Sequence, residues 1–420
     1  MTFVRWLAAV TLTGVAVAAC TSPTDGTQAA QPVITALSRP LTPQEKVAAT
    51  ATTEFGLALF RTVNASTARD SNIALSPVSA SLALGMLMNG AEGQTFDEIR
   101  TTLGFGDRPI AEVNAAYKSL IPLLTNVDPS VTMKFANAGW FDLRAPSSAG
   151  FATTINDVFV AKVATLPLSS PATVKTINEW ASANTNGRVP KIVDGIDASV
   201  IALLMNATYF KGKWREQFDA ASTRSAPFRV TLTRTEQLLT MFNEKGLVRA
   251  GGTPDGTLIG ELPYGGDAFV MDVIVPPLGT IEAAADALTP SRFRSLLALL
   301  PDSSSAMLLA LPKFRLETGR ELKPALGALG IHRAFGDAQL APMFAGPRAD
   351  AQVSSVLQKV FVDVNEEGTE AVAVTLVTVV ERTSASPPQF VVDRPFLFVI
   401  RERLTGTILF LGKVARPVAP

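Results

Sequence analysis

"NEEGTEAVAVTLVTVVERTSASPPQ", residues 365–389, opens with charges, a Gly and a Thr. It runs through ten uncharged residues, Ala371 to Val380, and ends in Glu381, Arg382 and a loop of Thr, Ser and Pro. The run alternates as a strand does: Thr369, Ala371, Ala373 and Thr375 share one parity, and Val372, Val374 and Leu376 the other. An uncharged strand former next to a loop of exposed composition is an aggregation hazard. One reading is an ordinary hairpin strand with a long loop. Gly368 precedes the run and gives the backbone freedom at low steric cost.

Composition narrows the surroundings. The chain has 420 residues, 47% of them hydrophobic, enough for a large core. Lys plus Arg and Asp plus Glu are 37 each, so the net charge is zero and no nucleic-acid partner is expected. A single Cys (Cys20) and a single His (His332) exclude a disulfide framework and a His/Cys metal site. They also leave a nucleophile–base pair only His332 to use, so no enzyme and no cofactor are expected.

The first residues read as a targeting segment. "MTFVRW" carries one Arg, "LAAVTLTGVAVAA" is apolar but short for a span, and "VAAC" follows. Small residues before Cys20 resemble a bacterial lipobox, with 1–19 as signal peptide and Cys20 as the lipidated residue. An ordinary secretory signal with an incidental Cys is the alternative. A lipidated Cys20 followed by Thr21 implies membrane anchoring, at the outer membrane in a diderm cell. Residues 20–42 are rich in Thr, Ser, Pro and Gln and read as a tether. Residues 43–420 read as one domain, expected to be a monomer.

Within that domain, Val47, Phe55, Leu59 and Val63 share a helical face. Ser76 caps an uncharged helix that starts at Pro77 and ends at Asn89-Gly90. Thr95 with Glu98, and Thr318 with Glu321, have the spacing of capping boxes. Helices are predicted around 173–187 and from Thr289-Pro290. "VIALLMNATYF" (200–210) is apolar enough for a central strand, and the second half is mostly strands. "MLLALPKFRLE" (307–317) reads as one of these. The class is α+β with mixed sheets. No Gly-rich phosphate loop follows a strand.

Five blocks, in order, resemble the serpins: "NIALSPVSASLALGMLMNGAEGQTFDEIRTTLGF", "INEWASANTNGRVPKIV", "LLMNATYFKGKW", "VFVDVNEEGTEAVAVT" and "DRPFLFVIRERLTGTILFLGKVARP". The resemblance implies about nine helices, three β-sheets and an exposed reactive-centre loop. It implies a covalent acyl-enzyme complex with a serine protease, trapped as the cleaved loop enters the main sheet.

Residue by residue, the resemblance implies a loop hinge at Gly368, Thr369, Glu370, Ala371, Ala373 and Thr375, where Val372 and Val374 are bulkier than usual. The reactive bond falls fourteen positions after Gly368, at Arg382–Thr383, which suits a trypsin-like protease; Val379 and Val380 offer an elastase-like alternative. Trp214, Lys313 and Glu366 correspond to the region of first insertion. Ser76, Ser79 and Asn206 correspond to a polar cluster under the sheet, where Gln358 stands for the usual His and is expected to hydrogen-bond Asn206. The alternative function is a non-inhibitory member acting as a cell-surface binding or structural protein.

Overall fold

The computed structural model describes residues 32–347, 351–369 and 388–418. The chain divides into Met1–Pro32 and Val33–Pro420, and the elements below belong to the second unit. Among the described residues there are nine α-helices: α1 (Pro43–Ala65), α2 (Pro77–Asn89), α3 (Gly93–Thr102), α4 (Ile110–Asn126), α5 (Ala149–Phe159), α6 (Pro171–Asn184), α7 (Ile281–Asp286), α8 (Pro290–Leu297) and α9 (Lys323–Ala328). The strands are β1 (Ile73–Leu75), β2 (Thr132–Asp142), β3 (Lys162–Leu166), β4 (Ala202–Lys213), β5 (Arg224–Arg229), β6 (Thr235–Gly252), β7 (Leu258–Tyr264), β8 (Phe269–Val275), β9 (Ser305–Pro312), β10 (Phe314–Glu321), β11 (Leu357–Asn365), β12 (Gly368–Thr369), β13 (Gln389–Val391), β14 (Phe396–Glu402) and β15 (Ile408–Val414).

One sheet has the order β10-β11-β12-β4-β2-β3, antiparallel except for the parallel β2–β3 edge. The other strands form two sheets that share β6. Its Arg249–Gly252 end pairs with β7 in the order β1-β15-β14-β8-β7, and Thr240–Val248 pairs with β9, which carries β13. β14 and β15 are buried along their whole length, and their near-continuous apolar runs fit strands covered on both faces. Arg401 of β14 is buried too. It donates to Asp272 Oδ2 at 2.6 Å and Glu261 Oε2 at 2.5 Å, pairing the charges that burial would otherwise penalise.

The uncharged α2 packs under β4 and β15, and almost every side chain on it is buried. Its start is as the sequence predicts: Pro77 is the first helical residue, and the Ser79 amide donates to Ser76 Oγ. On the six-stranded sheet's other face, Ala138 and Trp140 pack with Leu168, Ile177, Ala181 and Ile192 in a separate small core under α6.

Both predicted capping boxes fail. Thr95 lies inside α3, and the Gln339 side chain accepts from the Gln94 amide at 2.8 Å instead. The Glu98 carboxylate faces away and accepts from the amides of His332 and Arg333. Thr318 and Glu321 lie in β10, where Thr318 Oγ1 donates to Ala74 O, and α9 starts after them at Lys323. In each case a distant partner outcompetes the local motif. The single strand predicted over 307–317 is broken at Lys313 into β9 and β10, which lie in different sheets.

Candidate functional site

β11 runs antiparallel to β10, turns at Glu366-Glu367, and returns as β12. The two residues of β12 are paired on both sides. Gly368 lies opposite Asn365 and Lys213, and Thr369 opposite Val364 and Gly212. β12 therefore sits between β11 and β4. Residues 370–387 connect it to β13 in the sheet that contains β9.

The turn is fastened to the end of β4. The Trp214 amide donates to Glu367 O at 2.8 Å, the Phe218 amide to Glu366 O at 2.9 Å, and Trp214 Nε1 to Asn365 O at 2.8 Å. Glu366 is buried, with Lys313 Nζ 2.9 Å away and Thr223 Oγ1 donating at 2.7 Å. Burial opposes its ionisation. The hydrogen bonds from Lys313 and Thr223 outweigh that, and the carboxyl lies below its ordinary pKa. Trp214, Lys313 and Glu366 thus converge on one turn. Lys313 is the residue that breaks β9 from β10.

Two residues of this region carry no signal in the sequence pattern. Thr223 sits just before β5. Tyr264, at the end of β7, stacks on Trp214 with ring centroids 4.4 Å apart and planes at 12°. Its hydroxyl lies 2.6 Å from Thr369 Oγ1. Burial pushes its phenol pKa far up, so the group stays protonated.

The polar cluster under the sheet is divided. Gln358 Oε1 accepts from the Ser76 amide at 3.0 Å, Gln358 Nε2 donates to Ser76 O at 2.9 Å, and Ser76 Oγ donates to Leu409 O at 2.8 Å. Ser79 is buried one helical turn on. Asn206 instead donates to Asn137 Oδ1 at 2.7 Å and accepts from Thr208 Oγ1, while Asn137 Nδ2 donates to Phe159 O. The expected Gln358–Asn206 bond is absent. β11 and β4 flank β12 and share no ladder among the described residues. Each side chain is satisfied elsewhere: Gln358 is taken up by the Ser76 backbone, and Asn206 by Asn137, its cross-strand neighbour in β2. Asn137 is a member of the cluster that the sequence did not reveal.

Of the other predicted residues, Cys20, Glu370, Ala371, Ala373, Thr375, Arg382 and Thr383 lie outside the described residues. Among the described residues, no group of His, Cys, Asp and Glu is suited to a metal ion, and no helix is long and apolar enough to cross a membrane.

The comparisons agree with this architecture. A family model described as "Serpin (serine protease inhibitor)" matches residues 50–417. Neuroserpin of Homo sapiens is 32% identical over 366 residues, covering 84% of this chain and 87% of its own. Leukocyte elastase inhibitor of Sus scrofa is 31% identical over 379 residues, covering 87% and 98%. Among solved structures, the thyroxine-binding globulin complex with thyroxine superposes with a TM-score of 0.80 at 27% identity, covering 88% of this chain and 99% of that one. Serpin48 of the insect Tenebrio molitor gives 0.76 at 28%, covering 90% and 100%. With a family model matching residues 50–417 and relatives more than 30% identical over most of its length, the chain belongs to the serpins.

Proposed function

We propose that this serpin inhibits a trypsin-like serine protease as a suicide substrate. The protease attacks the Arg382–Thr383 bond, the Arg382 carbonyl forms an ester with the protease serine, and Thr383 leaves as the new amino terminus. The chain before Arg382 then enters the six-stranded sheet between β11 and β4, carrying the attached protease with it before water can cleave the ester. The observation that carries this reading is β12: the hinge residues Gly368 and Thr369 already occupy that position, paired on both sides. Insertion of about ten residues adds roughly ten ladder hydrogen bonds at about 1 kcal/mol each. That rivals the stability of a whole domain, so the uninserted form persists kinetically.

The test is incubation of the protein with a panel of serine proteases, read on a denaturing gel. A complex stable to SDS is expected with trypsin-like enzymes. Thr369→Arg should be cleaved without forming complex, because an unpaired charge is costly to bury at a buried sheet position. Cleavage of the wild type with no complex at any protease overturns the reading. It favours the second one, a non-inhibitory serpin acting as a cell-surface binding or structural protein. Val372 and Val374 support that alternative, since bulk in the hinge slows insertion.

We further propose that acylated Cys20 holds the protein at a bacterial membrane, the outer one in a diderm cell, with the domain on a tether. More than one acyl chain is needed for stable anchoring. Cys20→Ala should move the protein to the soluble fraction; an unchanged membrane fraction sinks the idea.

A further inference from the structure

We propose that Tyr264 is the receptor of the loop hinge: it positions Thr369 in the sheet of the uncleaved protein, so insertion starts from two residues already in register.

Three features fit together here. Thr369 is buried, and its hydroxyl meets the Tyr264 hydroxyl at 2.6 Å. The Tyr264 ring is itself fully buried and is fixed by stacking on Trp214 and by an edge contact with Phe210 at 5.2 Å. It is therefore pre-set and does not need to be ordered by the hinge. The strand across from Thr369 leaves room for this ring because position 212 is Gly: a Cβ there would lie 2.9 Å from Tyr264 Cδ1.

Gly368 completes the fit. Its φ is +152°, and a Cβ would lie 2.1 Å from Gly212 O, 2.7 Å from Lys213 Cα and 2.9 Å from the Trp214 nitrogen. Those are backbone atoms that cannot swing away. The docked hinge therefore demands Gly at 368, which marks close approach of two backbones. Gly212, Gly368 and Tyr264 each make space for, or contact, the next, and Thr369 fills the remaining hydrogen bond.

The docked state can be observed without any protease. In hydrogen exchange of the purified protein, the peptide spanning residues 365–370 should be protected. Tyr264→Phe keeps the ring stacked on Trp214 and removes only the hydroxyl, and should speed exchange of that peptide about tenfold. Thr369→Val should do the same, and the double variant should match either single one, since one bond is lost once. Thr369→Ser should restore protection, and Gly368→Ala should abolish it. Thermal unfolding of each variant separates a hinge effect from a general loss of fold. Tyr264→Phe exchange at the wild-type rate, or a wild-type peptide exchanging as fast as an unstructured one, overturns the proposal.

The kinetic consequence rests on the inhibitory reading. Tyr264→Phe should raise the number of serpin molecules cleaved per complex formed with trypsin. If the wild type forms no complex, the inhibitory reading fails, and the exchange rates alone decide whether Tyr264 holds the hinge.

Discussion

Gln358 satisfies both backbone polar groups of Ser76, accepting from its amide and donating to its carbonyl. The pair ties β11 to the residue that caps α2, beneath the sheet that the loop is proposed to enter. Ser76 is buried, so its amide has no water as a substitute, whereas its carbonyl also accepts from the Ala80 amide at 3.1 Å.

Gln358→Ala should therefore destabilise the protein by about 2 kcal/mol, the cost of leaving the buried Ser76 amide unpaired. The midpoint of urea unfolding should fall with an unchanged slope. A shift too small to resolve would mean that the Ser76 backbone finds other partners.

Glu45 makes acid stability predictable. Arg39 hydrogen-bonds its carboxylate from the amino-terminal segment, Ser119 donates from α4, and the Thr42 amide donates from the helix cap. The Arg39 hydrogen bond leads in lowering its pKa from 4.5 to about 2, against an opposing effect of burial. A lowered folded pKa gives stability that is present above 4.5 and lost as pH falls toward 2. Glu45→Gln should melt a few degrees below wild type at neutral pH, and the gap should close across that window. A gap independent of pH would remove Glu45 as its source.

Val160 ends α5 with φ +54°, a left-handed conformation for a β-branched residue, and is exposed. Gly at that cap relieves steric strain. Val160→Gly should stabilise the protein by about 1 kcal/mol, read as a higher urea midpoint. A lower midpoint would show that the greater freedom of the unfolded chain outweighs the relief.

Cleavage at Arg382–Thr383 yields Thr383–Pro420, and 420 − 382 gives 38 residues. β13, β14 and β15 lie within that piece and are built into the sheets, so it should stay bound until denaturation. Mass spectrometry after native trypsin treatment and denaturation should find a fragment that begins at Thr383. Arg382→Ala should sharply reduce complex with trypsin and spare any complex with an elastase-like enzyme. A fragment beginning at Glu381 would move the reactive bond to the valines.

What the sequence disclosed follows the range of each interaction. The Ser76 cap and the uncharged α2 are local patterns, and both are legible. The Lys313–Glu366 pair came through resemblance, since nothing local links residues in β11's turn and between β9 and β10. β6 was not seen because its eighteen residues mix charges and glycines and serve two sheets. Tyr264 carries no local signal, because its partners Trp214 and Thr369 are distant in sequence. Gln358 has the neighbourhood that the resemblance implies and a different partner: it bonds the Ser76 backbone, and Asn206 bonds Asn137, partners that lie far off in sequence.

The tight turn at Glu366-Glu367 has a mechanical consequence. Since β11 and β12 already form an antiparallel hairpin, the proposed insertion is the lengthening of that hairpin, with no new strand pairing to nucleate. From Thr369 to Arg382 is thirteen steps (382 − 369), which at about 3.4 Å each come to roughly 44 Å of travel. At about 1 kcal/mol of ladder hydrogen bonding per residue, that is a mean pull on the order of 20 pN. The work is delivered one residue at a time, so a load opposing the loop should stall the motion part-way and leave a shorter hairpin rather than an unstarted one.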